Sequence, residues 1–283
     1  MIVTPGGALI AETLPSHYRF VKMLRAGAYD NAPPVSEDVE RIDRCTGLKG
    51  GRYFGNYYHW WIDEIPRLQA LCRLEPPPVV TIPSTYPEQL VGLIQNLIPK
   101  SVKTRLADHR NEWVHARRFL YLPPVTEDYC GYMPDGFLRN LRENVVNEVA
   151  PNRRGAPDRR YYVSRASSQK RRVLNEQEVV RCLKQYGFDA IQAGEFSFKE
   201  QVRRFGRAEW IVGAHGAGLT NMIFSPSCSV VELFPGAPFT HYRWLSESLG
   251  HDYHNIVGDP EVGKHADFKV NISALRRILD ASL

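Results

Sequence analysis

The sequence predicts an α/β protein in two parts, the second built on a parallel sheet covered by helices on both faces. Three observations carry this. From about Arg159 onward, short β-prone runs alternate with segments whose apolar residues recur at helical spacing. One of those runs ends in a glycine cluster, Gly213 to Gly218, that opens the next helix. A polar stretch rich in Pro, Gly and Arg, PNRRGAPDRR, separates the regular half from a less regular one, so the expected parts are residues 1–152 and 153–283.

In the first part the clearest element is YYHWWIDEIPRLQALCRL, Tyr57 to Leu74, which has helical spacing. Pro66 cannot donate to the carbonyl four residues back, so the regular helix is expected to start near Ile65. PPPVVTIPS leads into a strand, YPEQLVGLIQNLIP is a helix ended by Pro99, and RRFLYLPP is a strand. Gly136 to Ala150 is a helix stopped by Pro151. The second part starts with a strand at Tyr161 to Val163. LNEQEVVRCLKQYG is then a helix with Asn175 as N-cap and Gly187 at its end. After the FDAIQ strand comes SFKEQVRRFGRA, whose Ser197 and Glu200 have the spacing of a capping box. EWIVGA is a strand, HGAGLTNMIF a turn and helix start, SVVELF a strand, THYRWLSESLG a helix and DYHNIVG a strand. NISALRRILDASL closes the chain as an amphipathic helix.

Bulk properties narrow the function classes. The 283 residues carry 36 Lys and Arg against 31 Asp and Glu, a net charge of +5 that suits an anionic ligand or a membrane surface. No nucleic-acid module is present, so nucleic acid is not an expected partner. No apolar run approaches the ~18–20 residues of a membrane-spanning helix, and the start of the chain lacks the basic and apolar regions of a signal peptide. The five cysteines are scattered without a CxxC pair, which fits a reducing, cytoplasmic setting with any membrane contact peripheral. The histidines are dispersed, and His251 and His254 lack an acid or cysteine partner at ligand spacing, so no metal site is expected.

The glycine turn is the chemical signal. A strand running into Gly213 to Gly218 and then a helix puts backbone N–H groups and a positive helix end at the carboxyl edge of a parallel sheet, where small residues let a phosphate approach. His215 adds a hydrogen-bond donor. The order is G-x-x-G-x-G, neither the dinucleotide fingerprint nor a P-loop. Ser164 and Arg165 end the first strand of the same half, with Arg171 and Arg172 close behind, and arginine forks match phosphate oxygens. Glu232, at the end of the following strand, is placed to accept the hydroxyls of a ribose. The plainer alternatives stay open: a tight strand–helix connection, a solvated basic loop, and a core-edge carboxylate paired with arginine.

Taken together, YYVSR, the RR-x-x-N run (Arg171, Arg172, Asn175), GAHGAGLTN and VVELFP resemble glycosyltransferase family 61. NYYHWWIDEIPRL looks like that family's N-terminal hallmark, N-Y-x-H-W-x-x-[DE]-x-x-P-R. The resemblance implies a GT-B-like arrangement, two Rossmann-like domains facing across a cleft, with the acceptor on the first and a nucleotide sugar on the second. It implies inverting transfer from a UDP-linked donor, and, for short bacterial relatives, a surface polysaccharide or lipid-linked glycan as acceptor. On this reading Ser164, Arg165, Arg171, Arg172, His215, Gly216, Ala217, Gly218, Asn221 and Glu232 hold the donor. Asp63, in the acidic position of the hallmark, is the first choice for the base, with His59 orienting or replacing it; at i and i+4 the two share a helix face, while Glu64 points elsewhere. Trp60 and Trp61 are candidates for stacking on sugar, with buried core the competing role for at least one; Arg67 could reach the phosphate or just brace the helix, and His59 and Asp63 could simply cap or pair within a domain interface. No D-x-D triplet occurs, so no cofactor or bridging metal is expected. Two rivals remain: a nucleotide-sugar-binding protein without catalysis, and an oxidoreductase on a Rossmann sheet, against which the permuted glycine order speaks. No G-x-S-x-G elbow supports a hydrolase.

Overall fold

The computed structural model describes residues 40–48, 56–108, 114–122, 133, 136–151, 155–260 and 266–283. Cys130 and the expected boundary at 152/153 lie outside them. The chain divides into two compact units, Met1–Glu127 and Asp128–Leu283.

The first unit carries a parallel sheet in the order β3-β2-β1-β4. β1 is Glu40–Gly47 and is followed by the helix α1, made of Tyr57–His59, Trp60–Glu64 and Ile65–Leu71. β2 (Val79–Pro83), α2 (Glu88–Leu97), β3 (Thr104–Ala107) and β4 (Val114–Phe119) complete it. The sequence reading missed β1 and β3. It also placed the start of α1 too late. The helix begins at Tyr57, where the Asn56 side chain accepts the N–H of Tyr58, and it passes Pro66 by a π turn in which Ile65 N–H bonds Trp60 O. Widening the turn just before the proline accommodates its missing donor without breaking the helix.

The second unit opens with α3 (Phe137–Val149), whose buried Leu138, Leu141, Val145 and Val149 form one face. That face explains why the unit starts well before residue 153: α3 packs on elements of the second unit, and Arg142 donates to Ser225 O. There follow β5 (Arg159–Val163), α4 (Glu176–Lys184), β6 (Asp189–Ile191), α5 (Phe198–Phe205) and β7 (Ala208–Ala214). A 3-10 helix, Ala217–Phe224, replaces the α-helix start expected after the glycine turn. Then come β8 (Ser229–Phe234), α6 (His241–Leu249), β9 (Asp252–Val257), the two-residue pair β10 (Asp259–Pro260) and β11 (Phe268–Lys269), and α7 (Ile272–Ser282).

Five strands form a parallel sheet in the order β6-β5-β7-β8-β9. Val179 and Leu183 of α4 and Leu275 and Leu279 of α7 cover one face through Tyr162, Val212, Val231 and Leu233. The alternate residues Ile211 and Val230 are fully buried as well, so the central strands β7 and β8 are covered on both faces. Ser197 caps α5 as the spacing predicts, accepting the Glu200 N–H. Asn175 does not cap α4: its amide pairs with both backbone groups of Val270 and ties the helix start to the end of β11.

The chain moves outward from β5 to β6, then returns to place β7 on the other side of β5. The crevice between β5 and β7 is therefore a topological switch point, where ligands of open parallel sheets bind. In the first sheet the corresponding point lies between β1 and β4.

Candidate functional site

The switch point of the second sheet is lined by the ends of β5 and β7, with Val163 paired to Gly213. The three glycines of the turn do different work. A Cβ on Gly213 would press on Val163 and Leu219, and one on Gly218 would come within 2.9 Å of Val163 Cγ1. Both let the turn close onto β5. A Cβ on Gly216 would stand 2.0 Å from Nη1 of Arg165, so this glycine admits a guanidinium against the backbone. Ala217 follows as the first residue of the 3-10 helix, whose leading N–H groups have no partner within the helix.

Arg165 is only partly exposed, and its Nε is buried without a hydrogen-bond partner among the described residues. Nη2 donates to Lys170 O. Burial, and then repulsion from Arg171, hold its pKa below the ordinary arginine value. Arg171 adopts a left-handed backbone with φ 58°, an unusual conformation for a residue with a Cβ. Both arginines bear electrostatically on Tyr242, whose hydroxyl donates to Gly216 O at 2.8 Å. Burial, above all, raises the Tyr242 pKa and keeps it a phenol. Arg165, Arg171, Tyr242 and the turn thus form one cationic, donor-rich corner.

Other predicted donor-site residues are engaged elsewhere. Arg172 bonds Asp267 through Nε, Nη2 and its backbone N–H, which spends its fork on a carboxylate. Ser164 donates to Glu176 Oε1 at 2.8 Å, beside the Tyr162 hydroxyl at 2.9 Å, so it secures the start of α4. Asn221 is buried and donates to Gly218 O and Gln201 Oε1, bracing the turn from within.

Glu232 departs most from its expected role. It is 0% exposed, and its oxygens meet His215 Nδ1 at 2.5 Å and the Tyr253 hydroxyl at 2.6 Å. A carboxylate so enclosed has no edge left for a ribose; it orients the imidazole instead. The His215 ring is stacked on Phe234 and tilted against Phe239, with Tyr242 and His241 at its edges. The sequence reading missed Tyr253 and Tyr242. Tyr253 pairs with Val230, two residues before Glu232 and so on the same sheet face, a relation visible only once the strand order is known.

In the first unit, α1 presents His59 and Asp63 together, His59 Nδ1 lying 2.8 Å from Asp63 Oδ2. The accessible partner is the histidine: its side chain is 30% exposed, that of Asp63 2%. Glu64 indeed points elsewhere, to Arg67 Nη2 at 2.8 Å. Arg67 also donates to Leu122 O and lies under the Tyr121 ring, so it is a buried brace between α1 and the segment after β4 rather than a free phosphate ligand. Trp60 and Trp61 are both buried and pack edge to face, which makes them core rather than a sugar platform. Among the described residues, no group of three or more His, Cys, Asp or Glu is placed to hold a metal ion.

The family model described as Glycosyltransferase 61 matches residues 57–231, from α1 through the turn into β8. The chain is 29% identical over 112 residues to the EGF domain-specific O-linked N-acetylglucosamine transferase of Canis lupus familiaris, covering 37% of this chain and 21% of that protein. It is 36% identical over 128 residues to the Protein O-linked-mannose beta-1,4-N-acetylglucosaminyltransferase 2 of Tetraodon nigroviridis, covering 42% and 22%. The chain spans about a fifth of the length of these curated relatives.

Proposed function

Because the chain belongs to glycosyltransferase family 61, we propose that it moves a sugar from a UDP-linked donor to a hydroxyl of a glycan, with inversion and without a bound metal. One observation carries the reading. At the switch point of the second sheet, the turn after β7 admits Arg165 against Gly216 and brings His215 and Arg171 to the same corner. Converging guanidinium, imidazole and backbone donors match a diphosphate and stabilise the charge that develops as it leaves.

The attacking hydroxyl must lose a proton, and the His59–Asp63 pair supplies the acceptor. The accessible imidazole takes the proton while the buried Asp63 carboxylate orients the ring. The second unit holds the donor and the first serves the acceptor, the division of labour of a GT-B enzyme. The two relatives are named for N-acetylglucosamine transfer, which makes UDP-N-acetylglucosamine the first donor to test. Growing surface polysaccharide or a lipid-linked glycan, met on the cytoplasmic side of a membrane, is the acceptor class of this proposal.

The test is a thermal-shift screen of the whole chain against UDP, GDP, CMP and their sugars, because a ligand of the folded state raises its melting point. UDP compounds should give the largest shift, and Arg165→Ala should remove it. His59→Ala and Asp63→Asn should abolish transfer while leaving the UDP shift nearly intact. No shift with any nucleotide, or near-normal turnover in both variants, would overturn the reading.

A further inference from the structure

The buried carboxylate beside His215 determines what that histidine can do. Tyr253 is held as a neutral phenol, its pKa raised by burial and then by the neighbouring Glu232 charge. Its hydroxyl therefore donates to Glu232 Oε2, and Glu232 Oε1 faces His215 Nδ1. With a carboxylate at Oε1, this contact is made by an Nδ1–H of His215 donating to it. In a neutral imidazole this leaves Nε2 with only a lone pair, which would repel a phosphate oxygen. With a second proton, both nitrogens donate and the ring is a cation.

The groups around His215 set when that proton is present. Glu232 of β8 favours it. Tyr253 of β9 spreads the charge of Glu232 and so tempers its pull. Tyr242 and His241 of α6 flank the ring, and Phe234 and Phe239 enclose it without charge. Arg165 and Arg171, gathered at the adjoining Gly216 and Tyr242, oppose a third cation. An arriving diphosphate reverses that balance, because it neutralises the arginines and attracts the imidazolium. We propose that His215 holds the donor's diphosphate as an imidazolium, taking up a proton as the nucleotide binds, and that Glu232 and Tyr253 are positioning residues that govern this uptake. The proton comes from solvent, no bond to phosphorus changes in the step, and the charge stays on the ring while the diphosphate departs. This inference rests on the donor-site reading given above.

The experiment is calorimetric titration of UDP into the full chain, in buffers of different ionisation heat, from about pH 6 to about pH 9. The wild type should take up as much as one proton per UDP and bind roughly tenfold more weakly for each pH unit across the steep part of the curve. His215→Gln, which keeps a donor but not the charge, should bind UDP with neither proton uptake nor this dependence. Glu232→Gln removes the anion and should move the fall in affinity to lower pH. Tyr253→Phe removes a hydrogen bond from the carboxylate, strengthens its hold on the imidazolium, and should move the fall to higher pH. General damage to the fold would weaken binding alike at every pH, so these opposite displacements are specific. Should Glu232→Gln not fold, Tyr253→Phe carries the test alone. UDP binding with unchanged pH dependence in the folded variants would overturn this inference while leaving the donor site standing; no UDP binding by the wild type would overturn both.

Discussion

At Gly216 the constraint is a side chain, not a backbone angle. Its φ of 170° is extended and open to any residue, yet an added Cβ would meet Arg165 Nη1 at 2.0 Å and Cζ at 2.9 Å. The obstructing atoms end a flexible side chain, so Gly216→Ala should displace the guanidinium and leave stability within roughly 1 kcal/mol of wild type. UDP affinity should fall roughly 10- to 100-fold, the worth of a lost charged hydrogen bond. Gly218→Ala should do the reverse, costing stability of about 1–3 kcal/mol through pressure on Val163 with a smaller effect on affinity. Melting curves and UDP titrations on the two variants check this; equal effects from both would remove Arg165 from the anion corner. The sequence marked the turn and the neighbouring arginines as one site, and Arg165, Arg171, His215 and Gly216 do converge. It had no means of dividing the glycines between packing and ligand, because that depends on what faces each one. Arg172 and Glu232 were misread for the same reason: their partners Asp267 and Tyr253 are remote in sequence.

The helix α1 shows how much an element hides behind its pattern. The hallmark spacing correctly joins His59 to Asp63, but Pro66 suggested a break where the backbone instead widens into a π turn. β1 was unreadable for a different reason. It is interior in its sheet, yet Glu40, Arg41, Asp43 and Arg44 leave no apolar run, and the ion pair of Asp43 with Arg117 across to β4 stands where an apolar rung would. Within α1 the Glu64–Arg67 pair is buried on both sides. Arg67→Met should therefore strand a buried carboxylate and destabilise the protein by roughly 3–5 kcal/mol. Adding Glu64→Gln should restore much of that loss, since no uncompensated charge remains. Urea unfolding of the single and double variants measures both effects. If Arg67→Met left stability unchanged and raised KM for the donor, Arg67 would be a ligand after all and not the brace its contacts describe.

At the scale of the molecule, both sets of candidate groups follow from the same architectural rule. His59 and Asp63 lie on the first helix after β1, and the anion corner lies where β5 and β7 end, each at the carboxyl edge of its own parallel sheet. That placement makes the support beneath the glycine turn matter to function. His251 provides part of it: 7% exposed, it donates from Nε2 to Met222 O of the 3-10 helix and accepts the Cys228 N–H on Nδ1. Burial, more than any other influence, lowers its pKa from 6.5 to about 4. The unfolded chain then binds a proton that the folded chain refuses between those values. The contribution of His251 to stability is complete above pH 6.5 and is lost progressively as pH falls towards about 4. The loss approaches roughly 3 kcal/mol as an upper figure, from ~1.4 kcal/mol per pH unit. His251→Gln should flatten the stability profile in this window, checked by urea unfolding at several pH values; an identical slope in wild type and variant would exclude His251 as its source. The two histidines act in opposite directions on acidification. Protonation of His215 tightens nucleotide binding, whereas the protonation that His251 resists loosens the 3-10 helix beneath the turn, so wild-type UDP affinity should rise and then fall as pH is lowered. In His251→Gln the fall at the acid end should move to lower pH while the rise due to His215 remains.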